Sequence, residues 1–247
     1  MRMMRPLLIV FITVGIPFRA FCLPPDTRAA DVLGIVRTIL ASGKDRMLSP
    51  VETDSVVKAS NIDSTNVRMA AASALAFTAS EEGRKALERL ASDRDPSVAG
   101  IAEFSVLYRQ TSGLSKEERL SIMSFQLGKS THPWTRVMLV SSLGDQFRSA
   151  MVPLFLTVLE KEPDVLVRAE LFFQIATNGN IAQLKMVRSL LAQEKQDFAG
   201  SFNEMTAFFL DSVSRNAIQR ESIPTDIFLH DLIKSRIKKL ESASPKR

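Results

Sequence analysis

Two short patterns carry residue types that could do chemistry. Ser55-Val56-Val57-Lys58 places a lysine one helical turn after a serine, the spacing at which an amine eases deprotonation of a hydroxyl in penicillin-binding serine enzymes. No Ser-Asp-Asn or Lys-Thr-Gly follows, so the pattern reads as an ordinary helix face. Gly128-Lys129-Ser130 has the ending of a phosphate-binding loop, but the position five residues before Gly128 is Met123 instead of glycine. The only histidines, His132 and His230, lie far apart with no ligand spacing around them, so a metal site is not expected. Glu81-Glu82, Asp93 with Asp95, and Glu117-Glu118 fall at inferred helix starts, where a carboxylate complements the positive end of the helix dipole. His132, beside Pro133, reads as a helix N-cap. No catalytic residue, cofactor or metal is assigned, and the chain reads as a non-enzyme.

The elements that position these residues are helices. Of 247 residues, 45% are hydrophobic and 24% charged, with one Trp and one Tyr, a globular composition poor in the aromatics that strands favour. After Asp26, apolar residues recur at i, i+3, i+4 and i+7. Breaks come at Ser49-Pro50, Asn61, Asp95-Pro96, Gly113, His132-Pro133, Pro163-Asp164, Asn178-Gly179-Asn180 and Pro224. This predicts about 12 helices, near 27–42, 51–60, 65–78, 80–91, 95–110, 115–129, 133–145, 148–160, 164–178, 181–193, 196–214 and 225–240. The loops are short, so successive helices run antiparallel as hairpins.

Four segments open on a turn and run into similar helices. They are Asn66-Val67-Arg68-Met69-Ala70-Ala71, Asp95-Pro96-Ser97-Val98-Ala99-Gly100, His132-Pro133-Trp134-Thr135-Arg136-Val137 and Asp164-Val165-Leu166-Val167-Arg168-Ala169. Aligned on positions 68, 99, 136 and 168, they step by 31, 37 and 32 residues, one helical hairpin each. The segments resemble HEAT repeats over about residues 60–195, with Ala99 standing where that pattern has arginine. The resemblance implies an all-α solenoid of antiparallel hairpins. It also implies structural roles for Arg68, Arg136 and Arg168, each pairing with an acid of a neighbouring turn. Asp63, Asp95 and Asp164 are the candidates. Protein binding without chemistry is the implied function, and an activity like that of the HEAT-like chromophore lyases is its enzymatic rival.

The ends of the chain carry their own signals. Basic Met1–Arg5, an apolar run of about 12 residues from Leu7 to Phe18, and Ala20-Phe21-Cys22 read as a signal peptide cleaved between Cys22 and Leu23. A retained anchor would need ~20 apolar residues, and Pro17 and Arg19 interrupt this run. Lipid-modified Cys22 is a further alternative, disfavoured by bulky Phe21. As the single cysteine, Cys22 also precludes an intramolecular disulfide. With no Asn-x-Ser/Thr site either, a bacterial periplasm or cell surface fits an exported chain best.

Removal of residues 1–22 takes away three arginines and no acid, lowering the net charge from +5 to +2. Residues 234–247 hold six Lys/Arg and one acid, so the body from 23 to 233 is net negative. That distribution argues against nucleic acid. It leaves a membrane-surface adaptor, using the basic C-terminal segment, as an alternative. The expected domain is thus 23–247, with repeats to about 195, capping helices over 196–240 and a basic tail at 241–247.

Phe198, Phe202, Met205 and Phe209 form one stripe at i, i+4, i+7 and i+11, with Phe208 at its edge. The stripe either packs into the core or forms a partner groove on the last hairpins. Phe228, Leu229, Leu232, Ile233, Ile237 and Leu240 would let the final helix cover it. Thr225 or Asp226 would cap that helix, and its basic residues suit its C-terminal end.

Overall fold

The structure, a computed structural model, describes residues 47–194 and 225–243. Every regular element among them is helical, and no strand occurs in the described residues. In chain order the helices are α1 (Pro50–Ala59), α2 (Thr65–Leu75), α3 (Glu81–Leu90), α4 (Pro96–Thr111), α5 (Lys116–Leu127), α6 (Pro133–Phe147), α7 (Val152–Leu159), α8 (Val165–Asn178), α9 (Ile181–Leu191) and α10 (Thr225–Ala243). The expected helices at 27–42 and 196–214, the signal sequence with Cys22 and Leu23, and the stripe Phe198, Phe202, Met205, Phe209 lie outside the described residues.

Capping chemistry explains where the helices start. Ser49 with Glu52, Ser115 with Glu118 and Asn180 with Gln183 form capping boxes. In each box a side chain satisfies a backbone N–H that the helix itself leaves open. Asp95 accepts from the N–H groups of Ser97 and Val98, and Asp164 from those of Leu166 and Val167. Pro50 and Pro96 occupy first turns, where a missing N–H costs nothing.

One expected helix is broken. Residues 148–160 divide into a 3₁₀ turn, Arg148–Met151, and α7. Arg148 has φ 50°, the left-handed conformation that ends α6 without a glycine. Pro153 then sits in the first turn of α7.

Two compact units divide the chain, Met1–Leu139 and Val140–Arg247, and the division falls inside α6. In the first unit α2 packs on α1, α3 and α4; α1 also meets α3, and α4 also meets α3 and α5. Small residues permit the approach: Ala70, Ala71 and Ala74 of α2 are buried together with Val67 and Leu75. Gly100 of α4 lies against the first turn of α6, where a Cβ would come within 2.8 Å of Trp134 Cβ and 3.1 Å of the Thr135 nitrogen.

In the second unit α8 packs on α7, α9, α10 and the 3₁₀ turn. Phe155, Leu171, Phe172, Ile175, Leu184 and Val187 are fully buried there. Helix α10 also packs on α9, and its Leu229, Ile233 and Ile237 are buried. These three residues therefore mark the face it lays on that pair of helices.

Candidate functional site

The first group of polar residues to locate is the repeated arginine. Each is the fourth helical residue, and its backbone N–H reaches the N-cap carbonyl: Arg68 to Ser64, Arg136 to His132, Arg168 to Asp164. From that position each guanidinium folds back over its own turn. Nη1 donates to the carbonyl six residues earlier, Ile62 for Arg68 at 3.2 Å, Ser130 for Arg136 at 3.0 Å and Glu162 for Arg168 at 3.2 Å. The geometry is the same at three helix starts and closes a turn whose carbonyl would otherwise face outward.

The acids that hold Arg68 and Arg168 most closely are not the expected ones. Arg68 pairs with Asp93, Nε to Oδ2 at 2.8 Å and Nη2 to Oδ1 at 3.2 Å. Arg168 pairs with Glu194. Asp95 and Asp164 spend their carboxylates on N-capping instead, because a side chain at the cap faces the N–H groups of its own first turn. Asp63 touches Arg68 only at 3.9 Å and from an exposed position. Two residues before the cap, a side chain accepts the cap's own N–H: Asp93 for Asp95, Ser130 for His132 and Glu162 for Asp164. At the turn before α4, where Ala99 replaces the arginine, Asp93 is the residue that Arg68 of the preceding hairpin holds.

The patterns with catalytic spacing are absorbed by helices. Ser55 donates to the Val51 carbonyl at 3.0 Å and Lys58 to Asp54 at 2.6 Å, so the amine serves a carboxylate. Ser130 Oγ and Thr135 Oγ1 both donate to Glu103 Oε2, at 3.0 and 2.6 Å. The Lys129 ammonium lies 5.6 Å from the centroid of the Phe125 ring, and Phe125 is 62% exposed on α5. No group of three or more His, Cys, Asp or Glu among the described residues could hold a metal ion. None of the described helices is long and apolar enough to cross a membrane.

The residues with the most perturbed chemistry were not singled out by the sequence. Glu170 of α8 is wholly buried, 0% exposed, and Gln174 one turn on is 3% exposed. Gln174 Nε2 donates to Glu170 Oε1 at 2.8 Å, and Asn178 Nδ2 donates to Gln174 Oε1 at 3.1 Å. This ladder climbs one face of a predominantly apolar helix. Opposite it α6 offers Ser141 and Ser142, both buried, and Gly144. A Cβ at Gly144 would fall 2.1 Å from Gln174 Oε1, so the absent side chain is what lets the ladder in.

Asp145 stands beside this seam. Glu170 Oε2 and Asp145 Oδ2 are both buried without a hydrogen-bond partner among the described residues. Burial pushes the Glu170 carboxyl up to about 8; the Gln174 hydrogen bond opposes this, the Asp145 charge adds to it, and Ser141 opposes it. Burial likewise raises Asp145 to about 6, against the pull of Arg148. At neutral pH Glu170 is therefore an uncharged acid beside an ionised Asp145. With no exposed atom it meets no substrate, and its chemistry in this state is to hold a proton.

The sequence signal for this seam was the i, i+4, i+8 polar series Glu170, Gln174, Asn178 inside an apolar helix, together with Ser141 and Asp145 at i, i+4. Searches of protein-family models, of curated proteins and of solved structures each returned no match to this chain.

Proposed function

We propose that the chain is a noncovalent protein-binding module built of stacked helical hairpins and acting outside the cytoplasm. The observation that carries this reading is the arginine bracket, the same six-residue closure at the starts of α2, α6 and α8. Recurring polar geometry at recurring spacing is how a repeat protein maintains its turns. The pattern of packing supports stacking as well: α1 meets α2 and α3, α2 meets α3 and α4, and α8 meets α9 and α10. Helices α1 and α2 thus each touch their successor and the one after it, and α8 touches the next two described helices, as in layered hairpins.

Stacked hairpins present ridged outer faces to extended or helical partners, and exposed aromatics are favoured anchors for such contacts. Phe125, with Lys129 over its ring, is the residue of that kind on α5. The test is a photo-crosslinking amino acid at position 125, with the same group at exposed Lys58 as control, in cells that make the full chain. One discrete protein adduct from position 125 alone supports the reading. Adducts only with lipid would transfer it to a membrane-surface adaptor, for which Lys234, Lys238 and Lys239 are exposed on α10. Absence of any adduct would remove the binding proposal. Export is tested separately by sequencing the N-terminus of the native protein, expected at or near Leu23.

A further inference from the structure

The seam between α6 and α8 holds a carboxyl group that no described cation balances. Glu170 is fully buried, one of its oxygens has no partner among the described residues, and the ionisable side chain that acts on it is a second acid, Asp145. Gly144 and Gln174 are packed so closely that a single methyl does not fit between them. A side chain so enclosed is tolerated as a neutral acid and opposed as an anion, since an unpaired buried charge is among the costliest groups a fold can contain.

Among the described residues, no cation acts on it. Helix α7 has no ionisable residue. The charged groups of α9, Lys185 and Arg188, are exposed. On α8 itself Arg168 is held by Glu194. Helix α10 contributes half-buried His230 and Arg236, with Asp231, Lys234, Lys238, Lys239 and Glu241 exposed. Arg148 of the 3₁₀ turn is exposed and acts on Asp145.

We propose that Glu170 is a proton-operated latch: protonated, it allows α8 to lie closed on the Ser141–Asp145 segment of α6, and ionised, it drives the two apart. Asp145 tunes the latch, because its negative charge makes loss of the Glu170 proton harder. Opening would expose the seam formed by Ser141, Ser142 and Gln174, a surface that the closed state hides. This gives the module a second conformation that rising pH selects.

Hydrogen exchange of the full-length protein tests the latch, with amide rates corrected for the intrinsic effect of pH. Protection of α8 amides should fall at least tenfold between pH 6 and 9 in the wild type and stay level in Glu170→Gln, which mimics the protonated acid. His230→Gln should leave the transition in place. Should Glu170→Gln fail to fold, Asp145→Asn supplies an independent reading, since it should move the midpoint of the transition to lower pH. A wild-type α8 with pH-independent protection would overturn the latch. An equal loss of protection in Glu170→Gln, disappearance of the transition in His230→Gln, or an unmoved midpoint in Asp145→Asn would overturn it too.

Discussion

The guanidinium of Arg68 grips both carboxylate oxygens of Asp93, 25 residues further along the chain, at 2.8 and 3.2 Å. Their side chains are only 9% and 11% exposed, which puts the pair in the range where removing one partner leaves a poorly solvated charge. Burial acts to raise the Asp93 carboxyl, but the hydrogen bonds from Arg68 and from the Asp95 backbone together leave it below the usual carboxylate range.

Replacing Arg68 by Ala should therefore cost about 3 kcal/mol of unfolding free energy, at the lower end expected for breaking a buried pair. Urea titration checks it. A coupling energy of about 1–3 kcal/mol should appear in the cycle with Asp93→Ala, because the two residues share one contact. Additive single mutants would show that the grip contributes nothing beyond packing.

Arg136→Ala and Arg168→Ala should also lower the melting temperature, since each removes the closure of a turn carbonyl. Arg168→Ala should be the more severe, for it also strands Glu194, whose side chain is 17% exposed. Unchanged melting curves for both would mean that the arginines serve a partner rather than the fold.

The Glu170 carboxyl, raised to about 8, binds a proton in the folded state at pH values where the unfolded chain has released it. Its contribution is fully present below about 4.5, the ordinary glutamate range, and is lost as pH rises towards about 8. Stability should thus decline from pH 5 to pH 9 by an amount on the order of a few kcal/mol. Glu170→Gln should flatten that slope and be the more stable protein at pH 9. Chemical denaturation across this range decides the matter.

Gly144→Ala should destabilise by about 1–3 kcal/mol, the usual cost of forcing a methyl into a filled interior. Its Cβ would meet the Gln174 side chain at 2.1, 2.5 and 3.0 Å, and both polar atoms of that side chain's amide are held, by Glu170 and Asn178. Gly100→Ala meets backbone as well as side chain and should be no milder. Thermal melts of the two variants against wild type provide the comparison.

At Arg148 the left-handed backbone, φ 50°, favours glycine. Arg148→Gly should gain about 0.5–1 kcal/mol by relieving the steric cost, net of added chain entropy, whereas β-branched Arg148→Val should lose about 1–2 kcal/mol. Opposite shifts in melting temperature are the expected result.

The fold was largely legible because its boundaries are chemical. Ser49-Pro50, Asp95-Pro96, His132-Pro133 and Asn178-Gly179-Asn180 each mark a helix end in the sequence, and each lies at a helix boundary in the structure. The 3₁₀ turn at Arg148–Met151 was not legible, since arginine carries no local signal for a left-handed residue. Asp95 and Asp164 were read as arginine partners because spacing alone does not distinguish a carboxylate that caps its own helix from one that reaches a neighbour. Asp93, two residues away, takes that role. The buried seam escaped for a related reason. Glu170 sits at a helical spacing that an exposed acid could equally occupy, and only the packing of α8 reveals that its face points inward.

The arginine bracket also bears on how such a chain can lengthen over evolutionary time. Each bracket joins residues six apart, so a duplicated hairpin brings the closure of its own turn with it. The grip of Arg68 on Asp93 differs in spanning a whole hairpin. A copy inserted between those two residues would separate partners that do not travel together, and that junction is where a duplication would have to be followed by compensating substitutions.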